Sequence, residues 1–159
     1  MMELILTSYR FRMDELLDEI KDIDDFKPTG FRDVVLGEVE DFHKFLAELN
    51  EKRLFALSRI IPIEKSFTFD IQLASTTFFE AVKPLLEKVE KNESIGIRVE
   101  RRGYSEELSS KKLEEEIGQK IVNYIKEMNN ETPEVDLEDP DVAIFYETLG
   151  DWVGVSVIK

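Results

Sequence analysis

Five basic residues fall between Gly96 and Leu113, against three acidic ones, in a chain whose formal net charge is −14. Arg98, Arg101 and Arg102 leave a stretch that reads as a strand, and Lys111 and Lys112 open one that reads as a helix. Cations in the first turn of a helix oppose its macrodipole, so their presence suits an anion held at the helix N-terminus. Phosphate is the obvious anion. The competing reading is five solvated charges flanking a strand end. Tyr104, at the polar end of the same stretch, could stack on a base or remain a surface ring.

The elements that would hold these residues are legible. Ile95, Ile97 and Val99 alternate with Gly96, Arg98 and Glu100, the period of a half-buried strand, which is expected to be central in its sheet. By that alternation Arg98 and Arg102 point one way and Arg101 the other. Gly103 ends the strand. Leu113, Ile117, Ile121, Ile125 and Met128 then recur at helical spacing, with Ser109 or Ser110 as the N-cap.

Other chemistry is thinly represented. The chain has no cysteine and one histidine, His43, set between Phe42 and Lys44 on a short helical pattern. A general base needs a partnered group in a cleft, and His43 reads as a surface or packing residue. No glycine-rich phosphate loop or nucleophile elbow occurs. The carboxylates are so dense that a solvated surface accounts for any chosen pair. Glu134, Asp136, Glu138 and Asp139 lack the glycine turn and spacing of a calcium loop. No catalysis, metal, cofactor or small-molecule substrate is expected.

A chain of 159 residues with 42% apolar and 35% charged content fits a soluble globular protein of one domain or two small ones. No apolar run is long enough to span a bilayer, no secretory or lipidation signal is evident, and the expected location is cytoplasmic. The net charge argues against tight, autonomous nucleic-acid binding. A local basic face could still act, because screening confines each field to about 8–10 Å at ordinary salt.

In chain order, residues 4–9 read as a strand, and Met13, Leu16, Leu17 and Ile20 as a helix. Phe26 to Phe31 is turn-rich, with room for a short edge strand. Val34 to Val39 is a strand, Asp41 a cap for a helix carrying Phe42, Phe45, Leu46 and Leu49, and Phe55 to Ile61 another strand. The sum, β-α-(β)-β-α-β, is a ferredoxin-like layout. Ile61 to Leu73 reads as a join without a flexible linker, so the two halves are expected to pack. Thr77 to Glu80 has capping-box spacing ahead of an apolar face, and Pro84 implies a kink or two abutting helices. Asn129 to Asp141 is an acidic loop. Val142–Tyr146 and Trp152–Ile158 are strands joined through Gly150-Asp151, with Val153, Val155 and Val157 facing the core. Trp152 could stack on a base, but covering the sheet is the favoured reading.

With these residues in place, the second half resembles the THUMP domain, an RNA-binding module of tRNA-modifying enzymes. The likeness rests on Ile97-Arg98-Val99-Glu100-Arg101-Arg102-Gly103, the Ser109-Ser110 helix start, Gly118, the Val135 to Val142 approach through Pro140-Asp141, and the hairpin through Val153-Gly154-Val155-Ser156. THUMP modules commonly follow a small ferredoxin-like domain, and Arg59-Ile60-Ile61-Pro62 is similar to the join between the two. The resemblance implies an α+β chain, with a ferredoxin-like domain over residues 1–62 packed on an α/β THUMP domain over residues 63–159. It further implies a non-catalytic, tRNA-binding adaptor of the standalone type, which assists a tRNA cytidine acetyltransferase, since no residues remain for a catalytic domain. Arg98, Arg101, Arg102, Lys111 and Lys112 would then contact phosphates near the acceptor end, with Tyr104, Ser109 and Ser110 beside them. Arg59 and Lys65 would extend that face across the join. The alternative is an acidic interaction module that docks on a basic RNA-processing enzyme without binding RNA appreciably itself.

Overall fold

The computed structural model describes all of residues 1–159, which form two compact units, Met1–Glu64 and Lys65–Lys159. In the first, β1 (Met2–Ser8), β2 (Phe26–Pro28), β3 (Val34–Val39) and β4 (Leu57–Ile63) make an antiparallel sheet in the order β2-β3-β1-β4. Helices α1 (Met13–Ile20) and α2 (Phe42–Asn50) link β1 to β2 and β3 to β4. This is the ferredoxin-like arrangement that the alternating pattern predicts. Leu4, Leu6 and Val35 from the strands meet Leu16 and Ile20 of α1 and Phe45 and Leu49 of α2 in one core. Asp41 caps α2 by accepting the Lys44 N–H at 3.0 Å. Pro28 closes the edge strand β2, a position where proline is tolerated.

The second unit carries β5 (Lys65–Thr68), β6 (Ile95–Glu100), β7 (Val142–Leu149) and β8 (Trp152–Ile158) in the order β5-β8-β7-β6. Only β6 and β7 run parallel, as the crossover through α4 (Ser110–Asn129) requires. Leu113, Ile117, Ile121 and Ile125 of α4 join Phe78 and Val82 of α3 (Ala74–Val82) over the strand residues Ile144, Tyr146, Val153 and Val155. Tyr146 is wholly buried. It donates its hydroxyl to the Phe78 carbonyl at 3.0 Å, its ring stacks on Phe78, and burial pushes the phenol well above its ordinary range. The β7–β8 turn is Gly150-Asp151, with Gly150 at φ 63°.

Three sequence expectations are corrected here. Residues 65–68 are a strand paired with β8, not part of a join. Helix α3 begins at Ala74, so Thr77 and Glu80 lie inside it and form no capping box. A 3-10 turn, Ile71–Leu73, leads into the helix, with Asp70 accepting the Gln72 N–H at 3.0 Å. Strand β6 lies at the sheet edge, where an isolated bridge to Val135 covers its first residue. At Pro84 the helix gives way to a 3-10 segment, Lys83–Lys88, because proline cannot supply the next helical N–H.

Candidate nucleic-acid interface

The strand that delivers the arginines ends at Glu100, so period-2 alternation does not carry on to Arg101 and Arg102. Arg98 is exposed and donates one guanidinium N–H to the Leu137 carbonyl at 3.0 Å, leaving other donors toward solvent. Arg101 curls back on its own turn, donating to the Gly103 carbonyl at 2.7 Å.

Arg102 behaves differently. Its Nη1 lies 2.7 Å from Glu147 Oε2, with side chains only 15% and 3% exposed. Its backbone N–H donates to Thr148 Oγ1 at 2.9 Å, and its carbonyl accepts from that hydroxyl and from the Gly150 N–H. The guanidinium faces its own sheet. Arg98 and Arg102 therefore do not share a direction, contrary to the alternation argument, because one belongs to the strand and the other to the turn after it.

The turn itself is tight. Gly103 and Tyr104 both take positive φ, 90° and 52°, and the Tyr104 carbonyl accepts the Leu108 N–H at 2.9 Å. The Tyr104 ring stands edge-on to Phe69, 6.0 Å between centroids, and is 37% exposed. Packing and partial exposure coexist in this one side chain.

Of the two possible caps for α4, the structure selects Ser109, whose Oγ accepts the Lys112 N–H at 3.3 Å, and Ser110 is the first helical residue. Lys111 and Lys112 are exposed, no acidic residue shares their turn, and neither is ion-paired. Successive helical residues diverge by about 100°. Lys111 accordingly borders an open, largely apolar groove of about 370 Å³ with Ile97, Gly118, Val122, Val135 and Leu137. Lys112 borders a smaller polar hollow with Gln72, Ser75, Ser109 and Glu116. Arg98 meets the first groove's lining only through the Leu137 carbonyl, and Glu114 and Glu115 share that lining with Lys111.

Arg59 and Lys65 belong to different units: Arg59 is opposite Thr7 on β4, and Lys65 is opposite Val155 at the start of β5. Three residues that sequence reasoning passed over shape the site. Glu147 and Thr148 hold Arg102, and Glu114 accepts the edge-strand N–H of Val99 at 2.8 Å. A glutamate within the apolar run of β7 was the available signal for Glu147, since a buried charge needs a partner.

In the acidic loop, Asp136 Oδ1 accepts the N–H groups of Glu138 and Asp139, and no group of three or more acidic or histidine side chains is placed to hold a metal ion. No helix is long and apolar enough to cross a membrane.

The THUMP domain family model matches residues 76–158. Among solved structures, TrmN from Thermus thermophilus superposes with a TM-score of 0.69 at 15% identity, over 99% of this chain and 45% of its own. PH1313 from Pyrococcus horikoshii Ot3 gives 0.63 at 17% identity, over 100% and 55%. A 4-thiouridine synthetase in complex with RNA and bound ATP gives 0.57 at 13% identity, over 99% and 42%. The chain thus spans about half the length of the structures it matches, and at these identities the likeness is one of fold. No curated protein matches it in sequence.

Proposed function

The chain belongs to the THUMP domain family, and on that premise we propose that it is a tRNA-binding, non-catalytic adaptor. It would work in the cytoplasm and help a separate tRNA-modifying enzyme engage the acceptor region, with cytidine N4-acetylation as the modification. The observation that carries the binding part is the start of α4. Two exposed, unpaired lysines stand in the first turn of a capped, twenty-residue helix, where free N–H groups and the macrodipole already favour an anion. Arg98 adds a third exposed cation, bonded to the Leu137 carbonyl beside the groove that Lys111 borders, and Arg101 and Tyr104 border the turn between strand and helix. Ser109 and Ser110 contribute the cap and the first free N–H groups of α4. Arg59 on the first unit and Lys65 on the second are further exposed cations, each offered to RNA by its own unit. Arg102 contributes by fixing that turn, since its charge is matched by Glu147. The RNA carried by the 4-thiouridine synthetase of the same fold supports the ligand class. The acetylation step rests on family analogy.

The test is fluorescence anisotropy with a full-length tRNA and an unrelated RNA duplex over a salt series. Wild type should prefer tRNA and weaken with salt. Each lost phosphate contact among Arg98→Gln, Arg101→Gln, Lys111→Gln and Lys112→Gln should lower the salt slope by roughly 0.7–0.9. A quadruple variant that binds as wild type does, with the same slope, refutes the assignment. The net charge of −14 favours a second reading, docking on a basic RNA-processing enzyme. Co-purification of such a partner that survives RNase, with no tRNA binding, would select it.

A further inference from the structure

An aromatic–arginine cluster closes one end of the first unit's sheet. Thr7 pairs with Val34 and Ser8 with Leu57, so the loops after β1, before β3 and before β4 gather at that end. They bring together Tyr9, Arg10, Phe11, Arg32 and Phe55. The Arg10 guanidinium lies 5.0 Å from the Phe11 ring centroid and that of Arg32 lies 5.1 Å from it. The ring is nevertheless 70% exposed, with Phe55 at 60% and Tyr9 at 54%.

Packing does not account for Phe11. It holds a left-handed backbone, φ 62°, and both Asp33 carboxylate oxygens accept its N–H at 3.1 Å from a residue that is itself at φ 62°. A phenylalanine is thus fixed in a conformation that suits glycine, and its ring is turned to water instead of the core. Strain held around an exposed side chain points to a contact of that side chain outside the fold.

We propose that this end of the first unit is a second RNA-contact surface, on which the Phe11 ring and its two guanidiniums stack an unpaired base while Arg10 and Arg32 meet the adjoining phosphates. Aromatic faces and guanidinium planes are the groups that read splayed bases, and a paired helix does not offer its base faces to them. The local charge is mixed: Arg32 Nε lies 3.8 Å from Asp33 Oδ2 and Glu19 holds the Phe55 and Ala56 N–H groups, so Arg10 supplies the uncompensated cation. Glu38, Glu40 and Asp41 sit at the opposite end of the sheet, about 20 Å away along the strands. The inference rests on the reading of the chain as an RNA binder and adds which part of the RNA this unit takes: a single-stranded segment.

The experiment titrates the full chain into a fluorescein-labelled oligocytidine octamer, a blunt RNA duplex and a full-length tRNA. Wild type should prefer the octamer to the duplex. Phe11→Gly should weaken the octamer about 5- to 150-fold, the factor of one stacked base, while Tm holds or rises because glycine takes φ 62° without strain. Arg10→Gln with Arg32→Gln should lower the octamer salt slope by roughly 0.7 per contact. Octamer binding that is absent in wild type, or within twofold of wild type in both variants, overturns the proposal. If tRNA binding then still depends on Lys111 and Lys112, the adaptor reading survives. If wild type binds neither tRNA nor octamer, both fall together.

Discussion

Removing the charge of Arg102 should unfold the second unit more readily than it weakens RNA binding. The pair with Glu147 is 2.7 Å long, with 15% and 3% of the two side chains exposed, so it is screened little by solvent. Arg102→Met keeps the aliphatic stem but strands a carboxylate in the sheet. Breaking a buried pair from one side costs about 3–5 kcal/mol. Glu147 has a further interaction, and the Arg102 backbone stays tied to Thr148 and Gly150, so the lower end, about 3 kcal/mol, is expected. Adding Glu147→Met removes the stranded charge and should recover most of that loss, because apolar replacement of a whole buried pair is often neutral. Urea denaturation of the two single variants and the double variant supplies the cycle. Anisotropy on the folded proteins supplies tRNA affinity and salt slope, both expected within twofold of wild type. A loss below about 1 kcal/mol for Arg102→Met, accompanied by tenfold weaker tRNA binding, would refute the reasoning and return Arg102 to the phosphate contacts.

Two glycines of the second unit should respond with opposite signs. A Cβ at Gly96 would lie 2.8 Å from the Asp136 carbonyl and 2.8 Å from Pro140 Cγ, so Gly96→Ala must displace the loop before β7 and should lose about 1–3 kcal/mol in urea denaturation. At Gly118 it would meet only Ile97 Cδ1 at 3.4 Å, and Gly118→Ala should gain up to about 1 kcal/mol from helix propensity. Tyr146→Phe deletes the buried bond to the Phe78 carbonyl, 3.0 Å long, and should lose about 1 kcal/mol, read as a lowered Tm with unchanged tRNA binding.

The elements legible in the sequence are those whose burial pattern lies within one segment. The α4 stripe is an example: Leu113, Ile117, Ile121 and Ile125 are all buried, as their spacing requires. Strand β5 was illegible because Lys65 to Thr68 has no apolar alternation of its own; it becomes a strand by pairing with β8, 84 to 90 residues away in sequence. The edge position of β6 was hidden for a related reason. Ile95, Gly96 and Ile97 are buried in succession, which reads as central, yet part of that cover comes from α4 and from the bridge at Val135 rather than from a second strand. Thr77 and Glu80 have the residue types of a capping box, but the helix had already begun three residues earlier through a turn capped by Asp70.

The candidate site was legible as a density of cations and illegible as a set of available ones. Counting charge along the chain gives Arg98, Arg101, Arg102, Lys111 and Lys112 equal weight, whereas availability depends on what each donor already meets. Arg102 is neutralised by a carboxylate 45 residues away, and Arg101 turns onto its own loop. Lys111 and Lys112 remain unpaired because helix geometry splays them outward from a first turn without acids. The same logic hid the opposite case. Tyr9-Arg10-Phe11-Arg12 and Phe31-Arg32 are interleaved aromatics and cations, each too short to outweigh the surrounding acids, and only the meeting of the β1 and β3 ends places both guanidiniums on one ring. A basic surface on an acidic protein is therefore a property of sheet ends and helix starts, where loops distant in sequence meet, and net charge alone does not rule it out.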